Sequence, residues 1–183
     1  MLLIRTPDTE LLDEDTGRII PVRGQELRLE HSLVSISKWE SKWKKPFLGN
    51  EAKTQDETTD YIRCMTLTQN VNPIVYHTLK PEHYRQINEY INDTMTATTF
   101  RNVPGRGGKG GRQGVITSEI IYYWMISLEI PVEFQTWHLN RLLTLIRVCN
   151  EKSQPGKKMS KKDVMSQYRS LNAARRARMG TRG

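Results

Sequence analysis

The side chains of this chain best equipped for chemistry are four histidines, His31, His77, His83 and His138, and two cysteines, Cys64 and Cys149. No histidine belongs to HExxH or to another pair with metal-ligand spacing, and neither cysteine stands in CxxC. The histidines are therefore expected to play lone surface or interface roles, and the thiols to act as small buried hydrophobes rather than as a disulfide framework or a zinc site. No serine lies in GxSxG, and neither cysteine has the local context of a thiol nucleophile. The adjacent acids Asp13, Glu14 and Asp15 fall in a polar turn, where solvation outweighs acid–base work. The stretch GRGGKGG, residues 105–111, has the glycines of a phosphate cradle but neither the GxxxxGK[ST] spacing nor a clear preceding strand. These patterns predict a protein that is not an enzyme and that uses no metal and no cofactor.

Residue types suited to recognition are better represented. Trp137, His138 and Arg141 share the segment WHLNRLL, and tryptophan and arginine are over-represented at binding hot spots. On one helix these three side chains would form a recognition surface. The competing reading packs Trp137 in the core and leaves Asn140 and Arg141 as surface polar residues. Trp39 and Trp43 lie four residues apart among lysines on a short helix, which cannot bury both indoles by itself. They are expected either to anchor a partner or to dock against the same chain.

Periodicity supplies the elements that must position these residues. Met1–Ile4 and Arg18–Glu30 alternate apolar and polar residues around a polar stretch with Gly17 and Gly24, which predicts a small β-hairpin or edge ribbon. Ser37 with Glu40 reads as a capping box for the helix that carries Trp39 and Trp43 and that Pro46 ends. Thr54 with Glu57 repeats the signature ahead of Tyr61, Ile62, Cys64 and Met65, and Pro81 suits the first turn of a helix carrying Tyr84, Ile87 and Ile91. Thr117 is the expected N-cap of the next helix, with Glu119 placed favourably against its dipole. Ile130-Pro131 breaks that helix, and Phe134, Trp137, Leu142, Leu145, Ile146 and Cys149 recur at helical steps in another. The pair reads as an antiparallel helical hairpin. A last helix is expected from Ser160, with Val164, Met165, Tyr168 and Leu171 as a narrow stripe, before an end that would fray in isolation.

The predicted fold class is mainly α, with a small N-terminal β-ribbon followed by a multi-helix bundle, a glycine-rich basic loop and a basic C-terminal helix and tail. The expected divisions are residues 1–100, a linker at 101–115, the helical hairpin at 116–150 and the basic end at 151–183. A length of 183 residues with 37% hydrophobic content suits one domain or two small ones. No apolar run nears the roughly 18 residues needed to cross a bilayer, so a soluble, intracellular chain is expected.

Charge is divided along the chain. Residues 1–100 hold 12 Lys and Arg against 15 Asp and Glu, whereas residues 101–183 hold 16 against 5. The net +8 therefore describes a basic tail rather than a basic body.

Four segments resemble the tail assembly chaperones of tailed bacteriophages: HSLVSISKWESKWKKPFL (31–48), DYIRCMTL (60–67), IYYWMISLEIPVEFQTWHLNRLLTLIRVCN (121–150) and KKMSKKDVMSQYRSLNAARRARMGTRG (157–183). The resemblance implies a mostly helical, non-catalytic protein of the host cytoplasm that binds the tape measure protein and helps tail tube subunits polymerise around it. A chaperone of this type needs apolar grooves for helical clients and a charged arm for salt-sensitive docking. Trp39, Trp43, Trp137, His138 and Arg141 would be the partner-binding residues. Lys157, Lys158, Lys161, Lys162, Arg175, Arg176, Arg178 and Arg182 would form the arm.

Two alternatives stand beside this reading. One is a permanent virion component of the tail, baseplate or capsid, whose basic tail threads into an acidic neighbour. The other is a nucleic-acid-binding protein that neutralises phosphates with its linker and tail. The tail has no aromatic beyond Tyr168 on which bases could stack, and the helix at 131–150 is too apolar to lie in a DNA groove, so nucleic acid is not favoured. The charge split would also permit contact between copies of the chain.

Overall fold

The computed structural model of the protein describes residues 1–13, 17–100, 115–153 and 161–179. Most of the expected linker, and Lys157, Lys158 and Arg182 of the expected basic arm, lie outside them. The chain is mostly helical with two small β-ladders at its N-terminus. It divides into two units, Met1–Val148 and Cys149–Gly183. Residues on both sides of the glycine-rich stretch thus belong to one unit.

Strands β1 (Leu2–Arg5), β2 (Thr9–Asp13), β3 (Arg18–Val22) and β4 (Glu26–Leu29) form two antiparallel ladders, β1 with β4 and β2 with β3. Leu2 faces Leu29, Arg5 faces Glu26 and Thr9 faces Val22, so the second ladder continues the first as one long interrupted hairpin. Strand β2 falls in the stretch that polarity alone assigned to the turn. Gly24 permits the interruption. Its N–H donates to Asp8 Oδ1 at 2.7 Å, and a Cβ at this position would lie 2.1 Å from the Thr6 carbonyl oxygen. No larger residue fits without moving the backbone. Ile4, Val22, Leu27 and Leu29 turn inward, as a period of two requires.

Helix α1 (Leu33–Trp43) begins earlier than expected. Its N-cap is Ser32, whose Oγ accepts from Ser35 N at 3.3 Å while Ser35 Oγ accepts from Ser32 N at 2.9 Å. Two serines perform the reciprocal capping that Ser37 and Glu40 were expected to supply. The helix ends in a left-handed residue, Lys44, with φ 55. Helix α2 (Gln55–Met65) opens with the Thr54–Glu57 box as expected, with bonds of 3.2 and 2.8 Å. A 3₁₀ turn (Pro73–Thr78) buries Val75 and Tyr76 ahead of α3 (Pro81–Asn92), which has Pro81 in its first turn.

Helix α4 (Ser118–Ser127) follows Thr117, the expected N-cap position, but the Thr117 side chain makes no capping bond to the helix backbone. The second helix of the expected hairpin does not run from residue 131. Val132–Thr136 forms a 3₁₀ turn, and α5 (Leu139–Ser153) starts only after His138 has made an isolated β-bridge with Ser32. Leu139 N–H donates to the His31 carbonyl at 2.7 Å. That pairing requires extended backbone at His138, which interrupts the helical period. Helix α4 packs principally on α1, which also contacts α2 and the second 3₁₀ turn. Leu27, Leu33, Ile36, Met65 and Leu142 have no exposed surface, and each such burial contributes roughly 1.5–3 kcal/mol. The second unit contains α6 (Lys161–Met179).

Candidate partner-binding surface

The α1–α2 pair decides the fate of two expected anchors. Trp39 is 1% exposed, its Nε1–H donates to the Glu57 carbonyl at 2.8 Å, and its ring meets Phe47 edge-on at 5.2 Å. Trp43 is half-buried and donates to Asp60 Oδ2 at 2.9 Å, while Lys42 pairs with the other oxygen of the same carboxylate. Of the two outcomes expected for Trp39, docking against the same chain is the one observed, and its assignment as a partner anchor is corrected. Both indole N–H groups are satisfied within the chain, because α2 supplies a carbonyl and a carboxylate at the right height.

The surrounding charges belong to the same packing. Lys45 Nζ lies 2.7 Å from Glu57 Oε1. The Lys45 ammonium and the Thr54 N–H hold the Glu57 carboxyl below its ordinary range, and Glu57 in turn raises Lys45. Lys53 reaches over the Phe47 ring at 4.3 Å, and burial lowers its pKa. A polar hollow of about 250 Å³ is lined by Lys42, Asp56, Asp60, Arg63 and His77 among others, but Asp60 already serves Lys42 and Trp43.

His138 is the second correction. It is 6% exposed. Its Nε2–H donates to the Tyr90 carbonyl at 3.0 Å, and its Nδ1 accepts from Asn140 N at 3.3 Å, so the imidazole joins the end of α3 to the start of α5. Asn140 completes the joint by donating its amide to the Ile91 and Asp93 carbonyls at 3.0 and 2.7 Å. Asn140, a surface polar residue in the alternative that packs Trp137 in the core, satisfies carbonyls left open where α3 ends. The His138 ring packs edge-on against His31 at 5.1 Å, and His31 Nδ1 is hydrogen-bonded to the Tyr61 hydroxyl. Burial, followed by the nearby His138, lowers the His31 pKa to about 3, and burial raises the Tyr61 hydroxyl well above its usual value. This group is a hydrogen-bonded polar joint in the core.

What remains at the surface is a stack on the turn before α5. Phe134 and Trp137 lie face to face at 4.1 Å with 18° between their planes, and the Arg141 guanidinium lies over the Trp137 ring at 4.0 Å from its centroid. Phe134 and Trp137 are half-buried and Arg141 is exposed. Beside them the Tyr122 hydroxyl donates to Gln135 Oε1 at 2.8 Å, tying α4 to the 3₁₀ turn. Of the five expected partner-binding residues, Trp137 and Arg141 are brought together, Trp43 is tied to α2, and Trp39 and His138 are buried. Phe134 was missed as a surface member. Its three-residue spacing from Trp137 is the signal that a 3₁₀ turn brings into register.

In the second unit, Arg175, Arg176 and Arg178 are exposed on α6. Lys161 and Lys162 belong to its first turn. Among the described residues no group of three or more His, Cys, Asp or Glu side chains is arranged to hold a metal ion, and no helix is long and apolar enough to cross a membrane. Comparison with known families, characterised proteins and solved structures finds no match to this chain.

Proposed function

We propose that this protein is a non-catalytic assembly chaperone of a tailed bacteriophage, which binds the tape measure protein and promotes polymerisation of tail tube subunits in the host cytoplasm. Resemblance over four segments of the sequence motivates the reading. The observation that carries it at the level of side chains is the Phe134–Trp137–Arg141 stack, aromatic and arginine groups held ready at the surface by a turn anchored to α4. Pre-stacked rings lose little side-chain entropy on binding, which suits docking of an apolar stripe from a helical client. The arginines of α6 add a charged contact whose strength falls with salt.

The test is the copy number of the polypeptide in purified particles and in the infected-cell lysate, measured by quantitative mass spectrometry. Abundance in the lysate with absence from particles is the expected result. A fixed stoichiometry in particles would overturn the chaperone reading in favour of a permanent tail, baseplate or capsid-associated component.

A further inference from the structure

Helix α4 carries apolar and aromatic residues on more than its buried side, with Glu119 as its one charged residue, a composition expected of a helix covered by more than one neighbour. Ser118, Ile121 and Met125 fill the buried face toward the chain's own core. The opposite face is open: Glu119, Tyr123 and Ile126 follow one another at helical spacing, with Tyr123 66% and Ile126 76% exposed. Residues 115–137 contain Glu119, Glu129 and Glu133 and no lysine or arginine, so the segment that carries this face has one sign of charge. All three glutamates are exposed.

Helix α6 carries the complementary pattern. Met165, Tyr168 and Leu171 form an exposed stripe at three-residue steps, 63%, 63% and 53% exposed. Its 19 residues contain six Lys and Arg and one acid, Asp163. At about 1.5 Å per residue the Met165–Leu171 stripe is about 9 Å long, close to the span from Glu119 to Ile126. The α4 residues Tyr123 and Ile126 and the α6 residues Met165, Tyr168 and Leu171 are each exposed, and the two segments are similar in length and opposite in charge.

We propose that the outer face of α4 is a self-association site that receives α6 of a second copy. Tyr168 and Leu171 would pack on Tyr123 and Ile126, and the α6 arginines would meet Glu119, Glu129 and Glu133. Exchange in both directions closes a dimer, and exchange in one direction extends a chain of copies. Tyr123 and Ile126 at its centre are not members of the Phe134–Trp137–Arg141 stack, and the test below does not depend on the chaperone reading.

Light scattering coupled to size exclusion tests this on the full chain at about 0.05 M and about 0.5 M salt, between which screening shortens the reach of surface charges by about threefold. The expected result is a mass above one chain at low salt that falls toward one chain at high salt. Two variants, Ile126→Glu and Leu171→Glu, change exposed positions and should retain the circular dichroism of the parent. Each alone should be monomeric, because one damages the receiving face and the other the inserted helix. Mixed together they should regain a species of two chains, since each supplies what the other lacks. A monomeric parent at low salt would overturn the proposal, as would association that Ile126→Glu leaves unchanged or a mixture that stays monomeric.

Discussion

The Glu40 carboxylate of α1 accepts the backbone N–H of Ser118, the first residue of α4, at 2.7 Å across a separation of 78 residues. Its other oxygen accepts the Phe47 N–H, also at 2.7 Å. The residue read as a local cap of its own helix thus caps a distant one, where an N-terminal negative charge opposes the helix dipole. It also joins the two sides of the glycine-rich stretch. Glu40 is 7% exposed, so removing the carboxylate leaves two poorly hydrated N–H donors unpaired. Glu40→Ala is expected to lower stability by roughly 2–4 kcal/mol in urea unfolding, and Glu40→Gln, which keeps an acceptor oxygen, by less.

Acid should unfold this protein through His31. The folded pKa of about 3 lies below the ordinary value of 6.5, so between these values the unfolded chain binds the proton and the native state does not. Stability is therefore full above about pH 6.5 and falls as pH drops toward 3, with a slope approaching about 1.4 kcal/mol per unit. Urea titrations at a series of pH values should show this slope diminished in His31→Gln. An unchanged slope would assign acid sensitivity elsewhere.

Trp39 and Trp137 should respond differently to truncation. Trp39→Ala removes a fully buried indole and its bond to the Glu57 carbonyl, and a loss of roughly 3–5 kcal/mol is expected in thermal or urea unfolding. Trp137→Ala dismantles the surface stack and should cost less stability; under the proposed function it should also weaken capture of the tape measure protein about tenfold or more. Equal client binding by Trp137→Ala and the parent would remove the stack from the proposed role.

Gly24→Ala places a methyl group against the Thr6 carbonyl. The ribbon must spread at its interruption, and the Gly24–Asp8 bond of 2.7 Å is strained with it. A loss of roughly 1–3 kcal/mol is expected, detectable as faster amide exchange in β1 and β4.

Asn140→Ala should loosen the junction of α3 and α5. Its amide serves two carbonyls, of Ile91 and Asp93, and its removal is expected to lower stability by about 1–2 kcal/mol, with amide exchange faster in the last turn of α3 than in α1.

The local sequence determined a good part of this protein. Thr54 and Glu57 form their capping box because both partners lie within one turn, and Pro81 opens α3 because its ring already has helical φ. The concentration of basic residues after residue 150 is likewise a property of composition. Tertiary structure decided what depends on distant partners. Ser37–Glu40 has the form of a capping box, but the free N–H of Ser118 draws the carboxylate away, and Ser32 with Ser35 takes over the capping. The helical spacing from Phe134 to Leu142 is broken because His138 pairs as a strand with Ser32. Trp39 and His138 carry the residue types of a binding surface, yet Glu57 and Tyr90 supply acceptors inside the fold. Phe134, Trp137 and Arg141 instead stack on one another, half-buried or exposed, on the turn before α5. Periodicity reports which side chains share a face, whereas the polar groups that long-range folding brings within hydrogen-bonding distance decide which of those faces is buried.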